Sequence, residues 1–192
     1  MEVKSILKLA CVFLDRRDLL LDEIFLDEIP QDYVADDDRH DTITQLLLCL
    51  NLTIGEITRD YIPLYHCQRI VFEEDKFEYA KLEKVILDVF KLTNKNGRKI
   101  KYKMFPTYLS ASVSEAELTY SYEPENFSFE DQIDWFGSRV PMRVLAYGVA
   151  MEFCFLSSLS TEALIWEERF KTSLLAIVRK KSGITLPSRR WI

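Results

Sequence analysis

Glycine and proline are scarce in this chain, five and six residues in 192. Scarcity on that scale excludes glycine-serine linkers, collagen-like repeats and proline-rich arms. The glycines (Gly55, Gly97, Gly137, Gly148, Gly183) stand alone, so no glycine-rich loop is available to cradle a phosphate. Histidine is scarcer still: His40 and His66 are the only two, and neither HExxH nor GxSxG occurs. The four cysteines, Cys11, Cys49, Cys67 and Cys154, contain no CxxC pair. They are expected to be free, buried thiols in a reducing cytoplasm, with no metal. No apolar run reaches the ~20 residues of a membrane span, and the longest candidate, 144–156, is broken by Glu152. Asp15 arrives before any cleavage site develops, so neither a signal peptide nor a transit peptide is predicted.

What remains is a chain that is 48% hydrophobic, enough for a soluble folded domain. Its net charge of −6 is unevenly distributed. Residues 1–41 hold twelve acids and five bases, and 91–103 hold six bases and no acid. Residues 115–134 hold seven acids and no base, and 179–190 five bases and no acid. Each block alone reads as a solvated face. Four alternating blocks also suit copies docking head to side through complementary charge.

Helical spacing appears at both ends. Residues 3–14 carry Ile6, Leu7, Ala10, Val12 and Leu14 near the helical period, and 18–28 are expected to form a second helix ended by Pro30. The acidic stretch 31–40 reads as a loop, after which Asp41 can cap a helix. Its stripe is Ile43, Leu46, Leu47, Leu50, Ile54, Ile57 and Tyr61, closed by Pro63. From Leu64 the chain turns β-branched and aromatic. Strands are predicted at 68–72 and 76–79 around a Glu-Glu-Asp turn, and a hairpin at 85–92 and 99–105 around Asn96-Gly97. A last strand covers 117–122, with Leu118, Tyr120 and Tyr122 on one face. Helical spacing then returns: Pro141 opens a helix to about Ser157. Ser160 caps another, with Ala163, Trp166, Phe170, Leu174, Ile177 and Val178 as its buried stripe. The predicted class is α+β, a mainly helical bundle with an inserted small antiparallel β element. As a single domain it divides into N-terminal helices (1–63), the β insertion (64–124), C-terminal helices (139–181) and a basic tail arm (182–192).

The search for chemistry returns little. The run Asp36–Asp38 with Asp41 lacks the glycine that turns carboxylates inward around a cation, so it reads as a solvated loop. His66 beside Cys67 has no second His or Cys nearby, and nothing singles out a carboxylate pair for acid–base work. The expectation is therefore a chain that is not an enzyme, with no cofactor and no metal site. Lys95, Arg98, Lys99, Lys101 and Lys103, with Tyr102 among them, form a basic hairpin that can meet phosphates or a partner. The bland reading is an edge kept soluble by its lysines.

The order of motifs resembles the head-to-tail adaptor, or connector, proteins of tailed bacteriophages over about residues 41–179. The first part is Leu46-Leu47-x-x-Leu50-Asn51 leading to Ile57-x-x-Asp60-Tyr61-x-Pro63-Leu64. Next come Gly97-Arg98-Lys99-Ile100-Lys101-Tyr102 and Glu117-Leu118-Thr119-Tyr120-Ser121-Tyr122-Glu123-Pro124. Last are Tyr147-Gly148-Val149-Ala150-x-Glu152-Phe153-Cys154 and Thr161-Glu162-Ala163-x-x-Trp166-Glu167-x-Arg169-Phe170. The acidic segment 15–41 has no counterpart in that pattern. The resemblance implies a structural virion protein at the head–tail neck, made in the host cytoplasm. It would form a homo-oligomeric ring, usually of twelve copies, between the portal protein and a downstream tail or second ring protein. Passing DNA would contact it transiently. The tail arm, with Arg179, Lys180, Lys181, Arg189, Arg190, Trp191 and Ile192, would supply a protein interface, because Arg and Trp often anchor interfaces. The alternative is a cytoplasmic, non-enzymatic regulatory module that binds protein or nucleic acid through the 91–103 hairpin.

Overall fold

The structure, a computed structural model, describes residues 1–26, 28, 30, 33, 35–136 and 139–179. The fold is α+β, and the chain divides into two compact units. One is helical, built from Met1–Ile54 and the chain from Phe127 onward; the other, Gly55–Asn126, is β.

The helical unit holds α1 (Val3–Phe13), most of α2 (Asp37–Glu56), α3 (Met142–Leu156) and α4 (Ser160–Arg179). Helix α3 is its centre. Val144, Leu145, Ala146, Val149, Ala150, Met151, Phe153 and Cys154 are all buried, and that set runs most of the way round the helix rather than along one stripe. Helices α1 and α4 pack along it. Helix α2 meets it at one close point, where Gly148 faces Thr53. A Cβ on Gly148 would overlap the Thr53 methyl group and stand 3.0 Å from the Phe170 ring. Only glycine admits that approach. Fully buried Ile6, Leu7, Ile43, Leu46, Leu50, Phe170 and Leu174 complete the core, each worth ~1.5–3 kcal/mol of burial. Backbone hydrogen bonds tie Val3 to Asp131 (3.1 Å) and support a bridge between Glu2 and Gln132.

The β unit contains β1 (Tyr65–Val71), β2 (Lys76–Glu78), β3 (Ile86–Thr93), β4 (Lys103–Met104), β5 (Tyr108–Ser110) and β6 (Glu115–Tyr122). They form two antiparallel three-stranded sheets, ordered β1-β6-β3 and β2-β5-β4. One core serves both: Ile70, Val89, Leu92, Leu118 and Tyr120 from the first sheet, and Phe77 and Leu109 from the second. Between β1 and β2, Glu73 and Lys76 exchange backbone hydrogen bonds of 2.9 Å across Glu74 (φ 52°) and Asp75 (φ 61°). Two left-handed residues in succession make the tight hairpin turn that asparagine and glycine usually fill. At Glu74 that conformation costs roughly 1–2 kcal/mol.

Several expectations are corrected. Residues 18–28 do not form an α-helix; two short 3₁₀ turns, Arg17–Leu21 and Glu23–Phe25, stand there. The expected loop 31–40 is cut short, because α2 starts at Asp37. Its cap is Asp36 and not Asp41: the Asp36 carboxylate accepts the Arg39 N–H at 3.2 Å and the Asp36 carbonyl accepts the His40 N–H at 3.0 Å. Leu159, not Ser160, caps α4, since its carbonyl accepts the first helical bond from Ala163 at 2.9 Å. Pro141 is likewise the cap of α3 and precedes its first turn. The predicted pairing of 85–92 with 99–105 is absent beyond a bridge between Thr93 and Lys99. Strand β3 instead pairs with β6, and the chain after the turn crosses to the other sheet as β4.

Candidate functional site

The basic segment of the β unit begins with a turn that its sequence dictates. Asn94 Oδ1 accepts the N–H groups of Asn96 and Arg98, both at 3.0 Å, and Gly97 supplies the left-handed residue at φ 74°. Lys95 points from this turn to Glu115, whose carboxylate also receives Arg69. These two cations, Lys95 foremost, hold the Glu115 carboxyl below the usual carboxylate range. Lys95 is therefore neutralised within the chain. Arg98, Lys99, Lys101 and Lys103 are exposed and have no ion pair among the described residues.

The five predicted cations are thus not one hairpin surface. Lys103 belongs to the second sheet, where Ser110 of β5 pairs with Lys103 on one side and Lys76 on the other. Residues level with one another across strands share a face. The next row, Phe77, Leu109 and Met104, includes the buried Phe77 and Leu109, so the Lys76–Ser110–Lys103 row faces outward. Lys76 Nζ lies 5.6 Å from the Tyr108 ring centroid, and Phe105 stacks on Tyr108 at 4.5 Å with 12° between planes. An open groove beside the row is lined by Lys101, Tyr102, Lys103, Ser110, Ala111 and Ser112. Nothing in the sequence marked Lys76 or the serines, because only the strand pairing brings them beside the basic segment.

The acidic block 115–134 is largely matched internally. Besides Glu115, Glu123 pairs with Arg59 (3.2 Å), Glu125 with Lys84 (3.0 Å) and Glu130 with Lys4 (2.7 Å). Asp131 accepts the Ser128 N–H (2.7 Å) and hydroxyl (2.8 Å), and Asp134 lies 3.9 Å from the Met1 ammonium. Glu117 accepts the Cys67 thiol at 3.0 Å, and this bond to a carboxylate, with some burial, raises the thiol. Cys67 is thus exposed, against the expectation of four buried cysteines, while Cys11, Cys49 and Cys154 are buried in helices. Burial pushes the Cys11 thiol up to about 11 and the Cys49 thiol to about 12. His66 Nε2 sits 2.9 Å from the Glu83 carboxylate. The Asp36–Asp41 run works as a helix start: Asp37 and Asp38 occupy the first turn, where the helix dipole favours acids. Asp36 also binds the Arg39 side chain at 2.7 Å. No group of three or more His, Cys, Asp or Glu is placed to hold a metal ion among the described residues, and no helix there is long and apolar enough to cross a membrane.

On the helical unit the notable surface is apolar. Phe155, Leu156 and Leu159 at the α3–α4 connection are 45%, 55% and 45% exposed; Leu164, Ile165 and Leu175 on α4 are 60%, 51% and 43% exposed. Sequence reading found only the stripe that faces the core. Of that stripe Ala163, Phe170 and Leu174 are buried, while Ile177 and Val178 are half-buried. Trp166, also expected in the buried stripe, is half-buried. It stacks with Phe13 (5.4 Å) and Tyr147 (5.7 Å) under the Arg169 guanidinium (4.9 Å). Of the predicted interface, the Arg179 backbone ends α4. Lys180, Lys181, Arg189, Arg190, Trp191 and Ile192 lie outside the described residues. The chain matches no protein-family model and no curated protein.

Proposed function

We propose that this chain is a structural ring subunit at the head–tail junction of a tailed-phage particle. It would join the portal to the next tail or ring protein and contribute to the wall of the DNA channel. The observation that carries the reading is the uncovered apolar surface of the helical unit. Six large apolar side chains around α4 and its connection to α3 are each more than 40% exposed. A chain working alone gains nothing by wetting them, and exposed apolar side chains mark association surfaces where they gather into a patch. Repeated head-to-side contacts between copies close into rings when the rotation allows. A net charge of −6 also suits a conduit that must let a polyanion slide past. The reading assigns the chain no catalytic step and no cofactor. Particle size tests it. In sedimentation and negative-stain images, the chain mixed with its portal protein should appear as an annulus, with about twelve copies as the resemblance implies. L164E/I165E should keep its fold and lose the annulus. Deleting residues 184–192 should spare folding and weaken portal attachment. A wild-type chain that stays monomeric beside an intact portal ring sinks the reading.

A further inference from the structure

We propose that the outward face of the β2–β5–β4 sheet is a binding surface for the phosphodiester backbone of duplex DNA. Lys76 and Lys103 flank Ser110 in one cross-strand row, and Lys101 and Ser112 extend that row along the adjoining groove. Strands lie about 4.8 Å apart, so the two row lysines stand roughly 10 Å apart at the backbone. A duplex carries one charge per ~1.7 Å of its axis, so several phosphates fall within their reach. The two hydroxyls add neutral donors between the charges, the mixture that phosphate oxygens accept from. Among the described residues no carboxylate lines the groove; Glu73, the acid level with Lys76, is paired with Lys81 at 3.1 Å, and Glu78 is level with Tyr108 at the aromatic end.

Charge matching calls for an anionic partner, and the acidic block 115–134 of a second copy is a poor one. The lysines of this face have no ion pair among the described residues, whereas every carboxylate in 115–134 already has a partner. Another copy has little free acid to offer from that block. The choice of a duplex rests on the connector reading; the anion chemistry rests on the lysine row alone.

The test is fluorescence anisotropy of the full chain with a labelled, random-sequence DNA duplex across a salt series. Binding should be weak, with Kd of ~10⁻⁴–10⁻⁶ M at physiological salt, and should fall steeply as salt rises. The triple variant K76Q/K101Q/K103Q should weaken it about tenfold or more and flatten the salt slope by about one for each lysine neutralised. K91Q, on the other sheet, should leave it unchanged. No duplex binding, or binding indifferent to the triple variant, overturns the proposal. Tighter binding to single-stranded DNA or to polyglutamate overturns the choice of ligand. Annulus formation is scored in parallel: rings without DNA binding defeat this inference alone, and DNA binding without rings defeats the connector reading and spares the surface.

Discussion

In the helical unit α1 and α4 pack along a central helix, α3, and the outer side of α4 shows Leu164, Ile165 and Leu175 among charged residues. In the β unit two small sheets share a core between them; one outer face carries ion pairs beside exposed Tyr65, Val71 and Phe90, and the other carries lysines with no ion pair among the described residues. The contrast follows from element geometry. A helix presents residues all round, so α4 can bury Ala163, Phe170 and Leu174 and still show Leu164, Ile165 and Leu175. A strand alternates, so each inward Leu118 or Tyr120 sends a Glu117 or Thr119 outward. The exposed apolar residues of the first unit thus follow one helix, while the second mixes charge with exposed Tyr65, Val71, Val85 and Phe90.

The largest expected effect sharpens the difference between buried and half-buried aromatics in the helical unit. Phe170→Ala should cost about 3–5 kcal/mol, read from chemical denaturation. Trp166→Ala should cost clearly less, because its ring is only half-buried in the stack with Phe13 and Tyr147. Equal losses would mean that the stack is as much core as Phe170. Next, Gly148→Val should destabilise by about 1–3 kcal/mol through overpacking. Thr53→Ala in the same chain should return part of that loss in a double-mutant cycle, since the two sites touch. Simple additivity would show that α2 and α3 do not meet there.

The smallest effect tests the ion pairs of the β unit. Glu115 has a carboxyl held low by Lys95 and Arg69, so the fold binds fewer protons there than the unfolded chain. Its contribution is complete above the ordinary carboxylate range and is lost as pH falls through the depressed value. In NMR titration Glu115 should protonate below the range of an unperturbed glutamate, and K95Q/R69Q should move it back up. An unchanged titration in that variant would show the ion pairs to be idle. Because the site is exposed, the accompanying change in stability should be slight.

Much of the architecture is legible in the sequence where one signal dominates. The stripe from Ile43 to Ile57, the helices at 142–156 and 160–179, and the alternation through Leu118 and Tyr120 all stand near the predicted positions. Signals failed where several residues compete for one role. The first turn of α2 is wholly polar, so apolar periodicity begins six residues late, at Ile43, and pulled the expected cap to Asp41. Asn96-Gly97 marks a turn correctly but says nothing about which strand the following residues join. Pairing with β6 rather than with 99–105 is decided by distant residues packing beneath the sheet. The candidate lysine face was half visible for that reason: Lys101 and Lys103 lie in the basic run, while Lys76 and Ser110 arrive from strands remote in sequence. Leu164, Ile165 and Leu175 on the exposed side of α4 stand among charged residues, so they carry a weaker signal than the stripe that satisfies a core.

The central position of α3 also sets an order of events during synthesis. Helix α1 leaves the ribosome with Ile6, Leu7 and Ala10 ready for burial, yet α3, which packs along it, begins only at Met142. At ~5–20 residues per second, several seconds pass before it emerges. Every strand of the β unit, by contrast, has been made once Tyr122 is free. The segment inserted in the middle of the chain can close first, while α1 waits with its apolar face open to chaperones.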